Sequence, residues 1–297
     1  FRFDGLHLRD MDEPALEEGL PATGGIMRPV LHKIMQGYVK AAGVLVRLGL
    51  TVTALASDES GADVTFSDGT ANRYDLVVGA DGIYSGVRKL AFPNALAPAQ
   101  TGQGCWRIAT ARPPELERGE MYFGGEFPAG ITPCGANAVY LWMLTPHTDP
   151  RIIPDDELRT MMRDKMAPFG GSAGWMRDQI DDQTWINYRP LEAAVQPGPW
   201  HVGRIVLLGD AAHATTPHLA SGAGIAVEDA LVLSEELAVT GRSIEHSLAA
   251  YTARRFERCR DVVETSVAVG ALQLAHGSPE QIGGMIGGAL HRLAGEY

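Results

Sequence analysis

Residues 203–238, GRIVLLGDAAHATTPHLASGAGIAVEDALVLSEELA, gather an acid (Asp210), two histidines (His213, His218), Pro217 and the small residues Gly222, Ala223 and Gly224. They follow an apolar run from Ile205 to Leu208 that reads as a buried strand. After them Val227, Ala230, Leu231 and Ala238 recur at helical spacing, which predicts an amphipathic helix. Glycine lets a backbone come close to another group. A helix N-terminus offers unpaired N–H groups and a partial positive charge, so the stretch suits an electron-rich ligand. The plainer alternative is an ordinary strand-to-helix connection with Asp210 as N-cap.

Two upstream features have related chemistry. Asp75-Leu76-Val77-Val78-Gly79 reads as a strand buried on both faces, and it delivers Ala80-Asp81-Gly82, then Ile83 to Arg88. The carboxyl end of such a strand is where open α/β sheets place ligands, although Asp81-Gly82 alone is also a common turn. Earlier, Arg28 precedes Pro29 at the expected start of a helix running to about Ala42 through Leu31, Ile34, Met35 and Tyr38. Taken alone, Arg28 is a solvated surface arginine.

The elements around these residues read as follows. Phe1, Phe3, Leu6 and Leu8 around Asp4-Gly5 suggest a short hairpin, followed by an acidic loop over residues 12–18. Strands are expected over 44–48, 51–56, 62–66 and 74–79, with a turn at Ser67 to Thr70. Residues 96–200 lose helical periodicity. Trp106, Tyr122, Phe123, Phe127, Tyr140 and Trp142 fall in strand-like stretches there, with one helix over 155–166. A sheet with a covering helix fits, and its aromatic residues either wall a pocket for a planar substrate or form core. Residues 243–274 read as one or two helices, and Arg254, Arg255, Arg258 and Arg260 as a solvated face. Residues 275–297 are glycine-rich and read as only weakly helical.

Composition narrows the function. The 297 residues carry a net charge of −11, which disfavours a nucleic-acid partner. Cys105, Cys134 and Cys259 lie far apart and odd in number, so disulfide and zinc frameworks are disfavoured, no metal is expected, and a reducing cytoplasm is the default. No apolar run is long enough for a transmembrane helix, and FRFDGLHLRD is no signal peptide. Without an initiator Met, the chain reads as a piece cut upstream.

Residues 26–31 (IMRPVL), 78–88 (VGADGIYSGVR) and 203–224 (GRIVLLGDAAHATTPHLASGAG) stand in one order that resembles the class A flavoprotein monooxygenases. These are the aromatic hydroxylases related to para-hydroxybenzoate hydroxylase and salicylate hydroxylase. The resemblance implies an α/β fold: a para-hydroxybenzoate-hydroxylase-like FAD-binding fold with an incomplete Rossmann-type half, an inserted β-sheet substrate domain and C-terminal helices. The implied domains are 1–97 and 199–245 for FAD, 98–198 for substrate, and 246–297 for the terminal helices. A GxGxxG turn after a first strand, and the acid that follows it in the family, are absent from the sequence. In the family they would precede residue 1, so one βαβ unit is expected to be missing.

Carried over residue by residue, the resemblance implies that Arg28 contacts FAD. Asp81 and Gly82 match the "DG" motif, tied to FAD and the nicotinamide cofactor. Gly209 and Asp210 match the "GD" motif, with Asp210 on the ribityl chain. Pro217 would lie beside the isoalloxazine ring, and Gly222, Ala223 and Gly224 at its pyrimidine edge. The implied cycle is NAD(P)H reduction of FAD, uptake of O₂, and hydroxylation of a small phenolic or heteroaromatic acid by the flavin hydroperoxide, with a homodimer compatible. A base near the substrate is expected, because a phenolate is the easier target. His213, His218, Tyr122 and Tyr140 are the candidates, and Arg107 or Arg112 could hold a carboxylate or lie on a solvated surface. Other readings are a flavoenzyme of the same fold acting as a prenyl-chain reductase or halogenase, or a non-catalytic fragment. Halogenases would show a WxWxIP stretch, and no two tryptophans here are two residues apart.

Overall fold

A computed structural model describes residues 1–10, 18–19, 24–149 and 151–297. Most of the acidic stretch expected to form a loop, residues 12–18, lies outside the described residues. In chain order, α1 (Arg28–Ala41) precedes β1 (Val52–Ser57), β2 (Ala62–Phe66), β3 (Ala71–Tyr74), β4 (Val77–Gly79) and α2 (Gly86–Ala91). Next come β5 (Ala99–Ala111), β6 (Glu120–Tyr122), β7 (Ala129–Pro133), β8 (Ala138–Pro146), α3 (Asp155–Met166), α4 (Gly171–Asp178) and β9 (Ile186–Val195). The last part is β10 (His201–Val202), β11 (Ile205–Leu207), α5 (Asp210–His213), a 3₁₀ turn (Pro217–Leu219), α6 (Gly222–Leu237), α7 (Ile244–Leu274) and α8 (Pro279–Leu293). The architecture is mixed α/β, as the resemblance to the para-hydroxybenzoate-hydroxylase-like enzymes implies.

Two compact units divide it, residues 1–46 with 102–190 and residues 47–101 with 191–297. The first is built on a five-stranded sheet of order β6-β7-β8-β5-β9. Strand alternation turns Trp106, Ile108, Val139, Leu141 and Met143 into a core shared with Leu158, Met162 and Met166 of α3 and Met176 of α4. The opposite face carries Arg107, Tyr140 and Trp142, all half-buried. Arg107 pairs with Trp142 across the β5/β8 register, and Gly130 lies opposite Trp142 on β7. A Cβ at Gly130 would stand 2.7 Å from the Trp142 ring, so that glycine makes room for the indole.

The second unit holds a three-stranded meander, β1-β2-β3, and a sheet of order β10-β11-β4 in which β4 and β11 run parallel. Its core joins Ile205, Val206 and Leu207 of β11 to Ile225 and Val232 of α6 and Leu248, Tyr251 and Val262 of α7. Among the described residues no helix is long and apolar enough to cross a membrane.

Several sequence expectations are corrected. Residues 1–5 turn at Asp4-Gly5 but make no hairpin: Arg2 bridges Phe123 in parallel, and Leu6 and Leu8 are exposed. Residues 44–48 form no strand, and Leu45 is 84% exposed. A strand needs a neighbour for its N–H and C=O groups, and no described segment supplies one. Val78 in β4 is 42% exposed rather than buried. On α6, Val227 and Leu231 are exposed, and the buried stripe is Ile225, Asp229, Val232, Leu233 and Glu236. Residues 244–274 form one 31-residue helix. Residues 279–293 are a full helix, started by a capping box between Ser278 and Gln281 with Pro279 at its first turn. The arginine cluster is no solvated face, since Arg255 is fully buried.

Candidate active site

The parallel pair β4/β11 sets the site. Leu207 lies opposite Gly79 in register, and Leu208 N–H donates to the Gly79 carbonyl, so the two strands end side by side. Asp81-Gly82 and Gly209-Asp210 therefore leave the same carboxyl edge, where parallel sheets place ligands.

Each turn is fixed by its own bonds. Asp81 accepts from the Ser85 hydroxyl and from Val87 N–H (3.0 Å), so it closes the N-terminus of α2 together with Ser85. Gly82 has φ +83° and Gly209 φ +58°, a region that side chains rarely enter. Arg88, 1% exposed, ties the two turns together: Nη1 donates to Ala211 O (2.7 Å) and Nη2 to Ile83 O (2.6 Å). The sequence showed Arg88 inside the second motif but gave no sign of this partner.

Asp210 is the first residue of α5 and exposed, with Gly209 rather than Asp210 in the N-cap position. His213 is buried and cannot meet a substrate without rearrangement. Its Nε2–H donates to Asp229 Oδ2 at 2.5 Å, and its ring lies 5.3 Å from Trp200. Pro217 is exposed at the start of the 3₁₀ turn. His218 is half-buried, with Nδ1 2.8 Å from Thr216 Oγ1, and burial lowers its pKa to about 4 despite an opposing hydrogen bond to Gln273. The ring is thus neutral at physiological pH.

Helix α6 begins with no side-chain cap: among the described residues Ser221 Oγ turns back to Leu219 O, and no acid lies in the first turn. Its leading N–H groups face a surface where Ala223 and Gly224 are exposed. A Cβ at Gly222 would press Thr215 at 3.0 Å, whereas one at Gly224 would meet no atom within 4 Å. The free space beside Gly224 has no packing role in the chain itself. An uncapped, sixteen-residue helix with open space at Gly224, and an exposed carboxylate at the start of α5, fit a flavin: amides for its electron-rich pyrimidine edge, an acceptor for its hydroxyls.

Other sequence candidates lie in the first unit. Arg28 is exposed at the first position of α1. Tyr140 Oη accepts from Arg107 Nε at 2.8 Å, and burial raises the tyrosine pKa. Tyr122 is fully buried, donates to Glu120 (2.5 Å) and accepts from Ala173 N–H, with its pKa pushed well up by burial. Arg112 spends its guanidinium on the carbonyls of Leu116, Gly135 and Glu117, which clamps a loop and leaves it unsuited to a substrate carboxylate.

His213, Asp229 and Cys259 bring one ligand atom each within 4.8 Å of one another. Arg255 also donates to Asp229 (2.8 Å), so a fixed cation already engages one of the three groups.

The chain matches the FAD binding domain family over residues 9–266. It is 31% identical over 268 residues to the putative FAD-dependent monooxygenase YetM of Bacillus subtilis, covering 90% of this chain and 72% of that protein. It is 31% identical over 234 residues to 2-heptyl-3-hydroxy-4(1H)-quinolone synthase of Pseudomonas aeruginosa, covering 76% of this chain but 59% of that one. Among solved structures, Klebsiella pneumoniae HpxO complexed with FAD and uric acid superposes with a TM-score of 0.77 at 25% identity, covering 89% of this chain and 71% of that one. The chain belongs to the FAD binding domain family, among the FAD-dependent monooxygenases of the para-hydroxybenzoate hydroxylase and salicylate hydroxylase class.

Proposed function

We propose that the protein hydroxylates a small phenolic or heteroaromatic acid, using FAD, NAD(P)H and O₂. The observation that carries this reading is the uncapped start of α6, with open space at Gly224, together with the exposed Asp210 that follows the carboxyl end of β11. Bound FAD would supply the redox chemistry, passing electrons from NAD(P)H to O₂. The chain's residues bind and orient. Asp210 would accept from ribityl hydroxyls, a charge-assisted contact. The α6 amides would steady negative charge at the pyrimidine edge. Pro217 would flank the ring. Arg28, Asp81 and Gly82 are assigned to the cofactor by the resemblance, and residues 98–198 to substrate.

For the substrate we favour the half-buried sheet face with Arg107, Tyr140 and Trp142. Trp142 offers a flat apolar surface, while Arg107, fixed through Nε on Tyr140, suits a carboxylate. The neutral Tyr140 hydroxyl would donate to an anionic oxygen. His218, with a pKa of about 4, would act as a hydrogen-bonding group rather than a strong base. The relatives support this class: HpxO binds uric acid with FAD, and the Pseudomonas relative is a quinolone synthase. Unpaired cysteines favour a cytoplasmic location.

The test is Asp210→Ala. Purified protein should lose most of its flavin absorbance, together with any NAD(P)H oxidation stimulated by small aromatic acids. Unchanged flavin content would remove the assignment.

A further inference from the structure

Behind the Gly209-Asp210 turn lies a buried carboxylate that the reaction does not use. Asp229, on α6, is fully buried. Its Oδ2 accepts from Gly209 N–H at 2.9 Å and from His213 Nε2–H at 2.5 Å, and its Oδ1 accepts from Arg255 Nε at 2.8 Å. Burial pushes its pKa up, but these three donors outweigh burial and hold it below the usual carboxylate range. The surrounding charges close among themselves. Arg255 also reaches Glu228 (2.7 Å) and Ile225 O (3.2 Å), and Arg258 grips the same Glu228.

We propose that Asp229 is a positioning residue for the cofactor: one carboxylate braces both ends of α5 and so fixes where Asp210 points relative to the start of α6. The inference rests on the reading that Asp210 holds the flavin chain. Helix α5 has only four residues, too few to stand without external support. Gly209, its N-cap, has no side chain, so the brace comes from a residue 20 positions away. That residue sits on the same helix as Gly222, Ala223 and Gly224, so the two halves of the cradle share one anchor. A buried ion pair is a poor device for stability alone, since apolar replacements often serve as well. Fixing geometry is what this one does.

The test is a double-mutant cycle between Asp229→Asn and Asp210→Ala. FAD affinity is read by titrating the apoprotein and following flavin fluorescence, and thermal midpoints are measured without FAD. Each single variant should weaken FAD on the order of tenfold, the loss of about one charged hydrogen bond. The double variant should bind no more weakly than Asp210→Ala, while the fall in thermal midpoint due to Asp229→Asn stays the same in both backgrounds. An unchanged affinity in Asp229→Asn, or an equal fold-loss in both backgrounds, overturns the proposal, because it leaves Asp229 a purely structural residue. If Asp210→Ala binds FAD normally while Asp229→Asn does not, the Asp210 assignment fails first and this route through it falls as well. Should Asp229→Asn not fold, Asp229→Glu keeps the charge for Arg255 but displaces the oxygens from Gly209. The same cycle with it should give the same non-additive loss, and an additive one rejects the proposal.

Discussion

Nη1 of Arg88 donates to the carbonyl of Ala211 at 2.7 Å, joining residues 123 positions apart. Its Nη2 holds Ile83 O, so one buried guanidinium spans the turns that follow β4 and β11. It adds a side-chain tie to the strand pairing that sets Asp81-Gly82 and Gly209-Asp210 on one edge.

Removing that span should be costly. Arg88→Ala leaves two carbonyls without their donor, and buried groups left unpaired cost about 1 to 3 kcal/mol each. The expected loss is about 3 kcal/mol in urea unfolding. A loss below about 1 kcal/mol would show that the strands hold the turns unaided.

The arginines of α7 should separate sharply. Arg255 is fully buried on Asp229 and Glu228, and breaking such a pair costs about 3 to 5 kcal/mol. Arg260 is 44% exposed beside Glu257 and Glu264, so Arg260→Ala should stay within about 0.5 kcal/mol. Urea midpoints of Arg255→Ala and Arg260→Ala check the contrast, and equal losses would contradict it.

His218 makes a pH prediction. Its pKa falls from 6.5 to about 4 on folding, so between those values the unfolded chain takes up the proton and the folded one does not. Stability is full above pH 6.5 and falls as pH drops toward 4. Wild type should therefore lose about 1 to 2 kcal/mol relative to His218→Gln between pH 7.5 and pH 5. A constant difference between the two proteins would mean that the ring titrates normally.

The sequence carried the motifs but not their connections. Gly82 and Gly209 could be read because a positive φ calls for glycine, and the apolar run at Ile205 because a buried strand needs one. Asp229 was hidden: a charged residue on a helix reads as its wet face, and its donors Gly209 and Arg255 are far away in sequence. The same rule misread α6, whose buried stripe contains two acids. Four glycines lowered the expectation for α8, although the Ser278-Pro279-Glu280-Gln281 cap was visible. Val44 to Leu48 looked like a strand because its composition does, yet a strand also needs a partner.

The central claim is that the start of α6 exists to meet the flavin, and Gly224 tests it most directly. A methyl at Gly224 would meet no protein atom within 4 Å, and alanine is the better helix former by roughly 0.5 to 1 kcal/mol. Gly209→Ala should instead destabilise, since φ is +58° and the new Cβ would stand 3.2 Å from Ala226. The measurement is FAD affinity and thermal midpoint of the Gly224→Ala apoprotein. The account predicts an equal or higher midpoint with clearly weaker FAD binding. Unaltered FAD affinity at an unaltered or raised midpoint would contradict it.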